Sequence, residues 1–509
     1  MDKPREKILF IDELIEKVTA LKKEGKVVVQ SHGVFDLIHP GLIKHLKSAK
    51  QQGDVLIVTV IKDKDVRRGP GRPIFPEMLR AENVAALEMV DYACLVEDEI
   101  PFDCVRRINP DLFAKGQSQK ERDKNIHDAI FKEERELYFG QSRIFETEGF
   151  SFSSSSIINN LLDIYPDETK FFLKKFKERY SFKDICDAIE GLSKLNILLI
   201  GDGIIDEYHY CTPLGKSLKA HLVVNKYITH EVFAGGAFAI ANHLSGVCKS
   251  VKIVTLIADQ NGYEEYIRNN LRPNVTPQFF YRADGPTIVK KRYVNQYLNQ
   301  KLFEINYIND EYICDELSES ICVYLKDEIS RYDTALVSDF GHGFITDKII
   351  HVIEDNTRQY AVNTQMNGAN GGYNIITKYK NPHFVCLDEP EIRWAAQDRY
   401  APIEAVAEKI KDTINASNLI VTLGRLGSVG FDTNKNLNRT PIFSSKVVDT
   451  VGAGDAFFSF TAPCFYMGLP LDLVSFIGNA AGALAVQIVG NKKPVEKHEL
   501  LEFIYGLMK

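Results

Sequence analysis

The chain has 509 residues, 45% of them hydrophobic and 26% charged, with a net formal charge of −7. That length predicts two domains with separate cores, and the composition excludes a disordered, fibrous or membrane-spanning protein. The mildly acidic balance argues against a general nucleic-acid binder, nine scattered cysteines without a CxxC pair argue against a disulfide framework or zinc site, and the charged opening MDKPREKILFIDELIEK is no signal peptide, so the expected location is a reducing cytoplasm.

From residue 26, short β-rich runs alternate with helical ones: KVVVQS, a helix from about Gly41, DVLIVTVI, a helix around Pro76–Met89, then YACLVE, DLFAKG and RIFETE. The pattern predicts a parallel sheet with helices on its faces. HGVFDLIHPG at 32–41 joins the first strand to the first helix and so places Gly33, Phe35, Asp36, His39 and Gly41 at the strand's carboxyl edge. Phosphates meet backbone amides and a helix N-terminus at such an edge. Ser153, Ser154, Ser155 and Ser156 open a later helical run, either as simple N-caps or as hydroxyl ligands of a triphosphate.

HGVFDLIHPG and EGFSFSSSSII resemble the two signatures of the nucleotidyltransferase superfamily that includes the cytidylyltransferases. RRGPGRPIFPEMLRAENVAALEMVDY and PDLFAKG resemble the adenylyltransferase half of the bifunctional heptose-activating enzymes. The resemblance implies a Rossmann-like domain over 1–162, with Gly33, Phe35, Asp36, Gly41, Lys115 and Ser153 to Ser156 on a nucleotide, ATP or CTP. It also implies His39 beside the phosphate under attack. Leu42 departs from the pattern, standing where the family has a second histidine, and leucine neither donates a hydrogen bond nor carries charge. Lys44 is the candidate electrostatic substitute, while Ser118 and Gln119 replace an acidic and an aromatic residue.

Residues 163–194 are charged and helical in pattern and predict a connector. A second α/β series begins at NILLIGD, whose strand ends in Gly201 and Asp202. PTIVKKRYVNQYLNQKLFEIN at 286–306 alternates in strand fashion, which puts Lys290 and Arg292 on one face. DTVGAGD at 449–455 then opens a long segment of small and apolar residues. Its glycines permit a turn in which the amides of Gly452, Ala453 and Gly454 converge on an anion, leaving Asp455 to accept a hydroxyl proton; the plain alternative is a helix cap. Pro463 predicts a kink or an early end to the following helix.

DTVGAGD resembles the signature of the PfkB, or ribokinase-like, sugar kinases, and the chain from residue 195 to 509 is similar to that family. The resemblance implies a ribokinase-like α/β domain with a small β-lid built from 207–230 and 287–305, through which such enzymes pair as homodimers. It implies ATP and Mg2+ as cofactors and a sugar or sugar phosphate as partner, with no nucleic acid and no membrane. Asp202, favoured over Asp206, would hold sugar hydroxyls beside the diglycine Gly235-Gly236, with Lys290 and Arg292 on a phosphate already carried by the sugar. Asp388, Glu391 and Asp339 would organise the metal through water; Thr422, Gly424 and Gly427 would lie along the ATP phosphates, and Asn479 at its base or ribose. Ala239, Asn363 and Gln365 depart from the pattern, standing where relatives have asparagine, aspartate and lysine. The whole chain resembles the bifunctional heptose-activating enzymes with the halves in reversed order. It implies sugar phosphorylation plus nucleotidyl transfer to a sugar-1-phosphate; the alternative is a kinase whose first domain only binds nucleotide or phosphosugar.

Overall fold

The computed structural model describes residues 4–66, 71–97, 102–116, 143–147, 165–260, 263–368, 370–444 and 446–509, with 143–147 as backbone only. The chain packs as two compact units, Met1–Cys186 with Leu501–Lys509, and Asp187–Leu500.

In the first unit, β1 (Val28–Gly33), β2 (Val55–Ile61), β3 (Tyr92–Val96), β4 (Leu112–Gly116) and β5 (Arg143–Thr147) form a parallel sheet in the order β3-β2-β1-β4-β5. β1 and β2 are buried along their whole length, because both sheet faces are covered and no residue alternates toward water. One face packs on Leu14, Val18, Ile57 and Phe113, and the other on Leu46, Leu56, Ala81 and Val84. Strand order reverses beside β1, so the sheet's natural ligand crevice lies at the carboxyl end of that strand. The helices expected after β1 and β2 are Pro40–Lys50 and Glu77–Ala85, and the 163–194 segment holds helices Asp167–Arg179 and Phe182–Gly191.

The second unit is built on a nine-stranded sheet. β6 (Asn196–Gly201), β9 (Ser250–Ala258), β10 (Val275–Arg282), β13 (Thr334–Asp339), β14 (Tyr360–Thr364), β15 (Phe384–Asp388) and β16 (Asn418–Thr422) run parallel in the order β10-β9-β6-β13-β14-β15-β16. β17 (Ser428–Phe431) and β18 (Leu437–Thr440) close the edge as antiparallel strands. A separate four-stranded sheet, ordered β12-β11-β7-β8, contains β7 (Gly203–Lys216), β8 (Val223–Gly236), β11 (Ile288–Asn295) and β12 (Gln300–Tyr307). This is the expected lid.

Helix Ala453–Tyr466 is apolar almost all round, which suits a helix packed on every side. Gly478 of helix Leu471–Ala485 lets the two approach closely: a Cβ there would sit 2.5 Å from Thr461 and 2.8 Å from Phe457. Pro463 lies within the last turn, and the helix stops at Tyr466.

Candidate functional site

β14, β15, β16, the lid strands β7 and β11, and the start of helix Ala453–Tyr466 line a cavity of about 700 Å³. The helix opens on Gly452 at φ 84°, where a Cβ would fall 2.2 Å from Asn491 Oδ1, so the turn requires glycine. Ala453 N–H turns back to Thr450 O at 3.4 Å, whereas among the described residues the amides of Gly452 and Gly454 meet no acceptor. Two unspent amides at a helix N-terminus make an anion cradle. Asp449 pins the turn, accepting from Val451 N–H at 3.1 Å, Gly490 N–H at 3.0 Å, Tyr208 hydroxyl at 2.7 Å and Lys301 Nζ at 2.6 Å. Burial works to raise its pKa, but the contacts from Lys301 and Tyr208 hold it below the ordinary value.

Asp455 sits in the first helical turn, 7% exposed, on the cavity wall. Gln365 Nε2 donates to its Oδ1 at 2.7 Å. Burial lifts the Asp455 pKa to about 7, the negative charge of Asp206 adds to that, and Gln365 and Lys290 oppose it. A carboxyl group poised near neutrality beside an anion cradle can take a proton from an alcohol.

Beside it, β7 and β11 supply Asp206, Lys290 and Arg292. Asp206 lines the cavity and accepts from Arg292 and, at 3.2 Å, from Asn491 Nδ2. The preference for Asp202 is thereby corrected. Asp202 is 1% exposed, lies off the cavity wall, and accepts Phe340 N–H at 2.9 Å; burial and then Asp339 push its pKa up to about 7. The diglycine acts partly through Asp206: a Cβ on Gly235 would come 2.0 Å from Asp206 Oδ2, and only Gly236 lines the cavity. Arg292 does not reach outward for a phosphate, because Asp206 and Glu304, the latter at 2.7 Å, occupy it. Lys290 is different. It is buried on the wall, makes no ion pair among the described residues, and lies 5.7 Å from the Phe340 ring centroid; burial holds its pKa below the usual lysine value. Asn242, three positions after Ala239, does not make up for the missing asparagine: it is tied to Asn270 O and Arg272 N–H.

At the other end, Asp388 caps helix Glu389–Ala396 by accepting Glu391 N–H at 2.8 Å, while Glu391 Oε2 accepts Asp388 N–H at 2.7 Å. Both line the cavity, and burial raises both pKa values, joined at Glu391 by the negative charge of Asp388 and at Asp388 by that of Glu389. Two adjacent carboxylates that resist joint ionisation fit a divalent cation held through water. Asp339 does not join them: it is 1% exposed and holds Tyr379 hydroxyl at 2.6 Å, Lys378 Nζ at 2.6 Å and Gly341 N–H at 3.0 Å. Thr422, Gly424 and Gly427 line the wall; Gly427, at φ 87°, has Thr440 O 2.0 Å from where a Cβ would be. Asn479 also lines it, but its amide donates to Ser428 Oγ at 2.6 Å and Ser475 O at 2.8 Å, leaving only its carbonyl oxygen for a ligand.

In the first unit, His39 is the N-cap of helix Pro40–Lys50, its Nδ1 accepting Leu42 N–H at 3.4 Å. Burial lowers its pKa and so favours the neutral ring; with Nδ1 accepting from Leu42 N–H, the proton of that ring sits on Nε2, where it can donate to an anion. Gly33 ends β1, Gly41 is the second residue of the helix, and Phe35 takes φ 52° with its ring against Gly33. Asp36 is corrected from nucleotide contact to structural clamp: its two oxygens accept the amides of Ile74 and Phe75 at 2.8 to 3.0 Å. Leu42 packs on the apolar cluster around Leu46 and Leu56, and His45 meets Ser31 Oγ at 2.9 Å. Lys44 is exposed on the helix, and Lys115 lies one step past the Ser31–Ala114 pair on β4. Ser118, Gln119 and Ser153 to Ser156 lie outside the described residues.

The family model for pfkB family carbohydrate kinases matches residues 198–498, more than half of the chain. The chain belongs to the pfkB family. Residues 31–160 of this pfkB-family chain match the cytidylyltransferase-like family, so a Rossmann-like, cytidylyltransferase-like domain precedes a ribokinase-like domain. Curated relatives include Bifunctional protein HldE of Nitratiruptor sp., 38% identical over 143 residues, covering 28% of this chain and 31% of the relative. HldE of Sulfurimonas denitrificans is 42% identical over 107 residues, covering 21% and 22%. The chain thus spans about a third or less of the length of the curated relatives it matches. Among solved structures, ribokinase from Thermotoga maritima aligns with a TM-score of 0.49 and 20% identity, over 61% of this chain and 99% of that one. Phosphofructokinase-2 from Escherichia coli gives 0.48 and 14%, over 62% and 99%. Among the described residues no helix is long and apolar enough to cross a membrane.

Among the wall residues that sequence reasoning missed are Gln365, Arg425 and Asn491. Gln365 was legible only as a departure from the kinase pattern, Arg425 carried no local signal, and Asn491 is 285 positions from its partner Asp206.

Proposed function

We propose that the second unit phosphorylates a hydroxyl of a sugar phosphate at the expense of ATP. The observation that carries this reading is Asp455, buried on the wall beside the two unspent amides of Gly452 and Gly454. In the proposed step the acceptor hydroxyl gives its proton to Asp455, its oxygen bonds to the γ-phosphorus, and the bond from that phosphorus to the β–γ bridging oxygen breaks, releasing ADP. Gly452 and Gly454 N–H groups hold the moving phosphoryl oxygens. Asp388 and Glu391 would hold Mg2+ through water, and the ion when bound would screen the triphosphate charge. Asp206 orients the sugar, and Lys290, which makes no ion pair among the described residues, receives an anionic group already on it. A heptose-like skeleton is the favoured acceptor, on the likeness to HldE. A thermal-shift screen of phosphosugars followed by 31P NMR of products tests this. The expected result is γ-phosphoryl transfer to a phosphosugar, with Lys290→Met raising KM for that acceptor at least ten-fold; a panel in which only uncharged sugars react would refute the assignment of Lys290.

A second activity, nucleotidyl transfer from ATP or CTP to a sugar-1-phosphate, rests on His39, whose Nδ1 accepts Leu42 N–H and whose Nε2 has no hydrogen-bond partner among the described residues. Leu42, packed into the apolar cluster, favours the other reading, a first unit that binds without turning over. Pyrophosphate release by the full chain decides between them. A homodimer through the lid is supported by Phe303, Ile305 and Tyr307 of β12, 49%, 43% and 47% exposed.

A further inference from the structure

Gln365 stands immediately after β14, and its backbone is fastened on three sides. Its N–H donates to Asp339 O at 2.8 Å, and its carbonyl accepts from Asn370 Nδ2 at 3.0 Å and Asn374 Nδ2 at 3.3 Å. Asn374 and Asn367 also donate to Asp339 O at 2.8 Å and Phe340 O at 2.7 Å, so an asparagine clamp ties this loop to the end of β13. From that fixed base the side-chain amide reaches across 90 positions of sequence to Asp455 Oδ1.

We propose that Gln365 is a positioning residue for the base: its amide fixes Oδ1 of Asp455 and so presents Oδ2 to the acceptor hydroxyl. This rests on the kinase reading above. Among the described residues Oδ2 accepts no hydrogen bond, which leaves it as the unengaged oxygen of the carboxylate. The amide donor also favours the ionised form. Asp206 disfavours ionisation and Lys290 favours it, so of the two uncharged influences burial and the Gln365 contact pull in opposite directions. Without the donor, burial wins over a wider range of pH, and a protonated carboxyl cannot accept another proton. Lysine at this position in the resembling heptose kinases would supply a donor as well.

The test reads the carboxyl directly and needs no acceptor. Full-length protein labelled with [4-13C]aspartate is titrated by NMR, with the Asp455 signal assigned by its absence in Asp455→Asn. In Gln365→Met, similar in volume but without a donor, the midpoint of that signal is expected to rise by about one pH unit. Gln365→Lys is expected to return it to or below the wild-type midpoint, and both variants are expected to bind ATP within about three-fold of wild type by fluorescence titration. An unmoved midpoint in Gln365→Met, or an equal rise in Gln365→Lys, overturns the proposal; so does a Met variant that loses its fold by circular dichroism while the Lys variant keeps both fold and a raised midpoint. Failure of the kinase reading is distinguishable, because it would appear as absent phosphoryl transfer in a wild-type protein whose Asp455 titration still responds to Gln365.

Discussion

Two carboxylates near the end of β6 differ in fate although only three residues separate them. Asp202 is turned under the Phe340 loop, while Asp206, on the inward face of β7, meets the cavity. The switch of strand at Gly203, where a Cβ would lie 2.3 Å from Phe238, sets that parity, and no local pattern announces it. Asp455 is the opposite case, since turn chemistry and helix start are encoded within a few residues and DTVGAGD displays both. Its pKa near 7 has a signed consequence. The base must be ionised to act, so kcat/KM for the acceptor is expected to rise with pH through about 7 with unit slope and level off above it. A pH–rate profile flat from 5.5 to 8 would contradict the assignment. For the metal pair, Glu391→Gln is expected to raise the Mg2+ concentration for half-maximal rate about ten-fold, read from a magnesium titration at saturating ATP.

At the scale of elements, the strand–helix alternation of both units was legible because parallel strands buried on both faces read as continuous apolar runs, as in VLIVTVI of β2. Lid strands were legible from alternation, and Lys290 and Arg292 do share the face that lines the cavity. What alternation cannot give is pairing: Arg292 is consumed by Asp206 and Glu304, one from the neighbouring strand β7 and one from β12. The turn after β16 is similarly fixed by long-range contact. At Gly427, with φ 87° and Thr440 O 2.0 Å from a would-be Cβ, alanine must distort either its own backbone or the β17–β18 edge. Gly427→Ala is expected to cost about 2–4 kcal/mol in urea unfolding of the second unit and to weaken ATP binding, whereas Gly468→Ala, at φ 73° with open space around it, is expected to cost about 1 kcal/mol.

At the scale of the whole molecule, one chain joins a cytidylyltransferase-like region, 31–160, to a pfkB carbohydrate kinase region, 198–498. The proposed lid dimer is expected to dissociate in Ile305→Asp, observed by sedimentation velocity, because a charge on a strand exposed along its length costs little in the monomer and much in an interface. The central claim is tested most directly by the rate of γ-phosphoryl transfer from ATP in Asp455→Asn, measured with the acceptor found by the phosphosugar screen. The account predicts a loss of about 10²–10⁴-fold in kcat with ATP affinity changed less than about three-fold; turnover equal to wild type in that variant would contradict it.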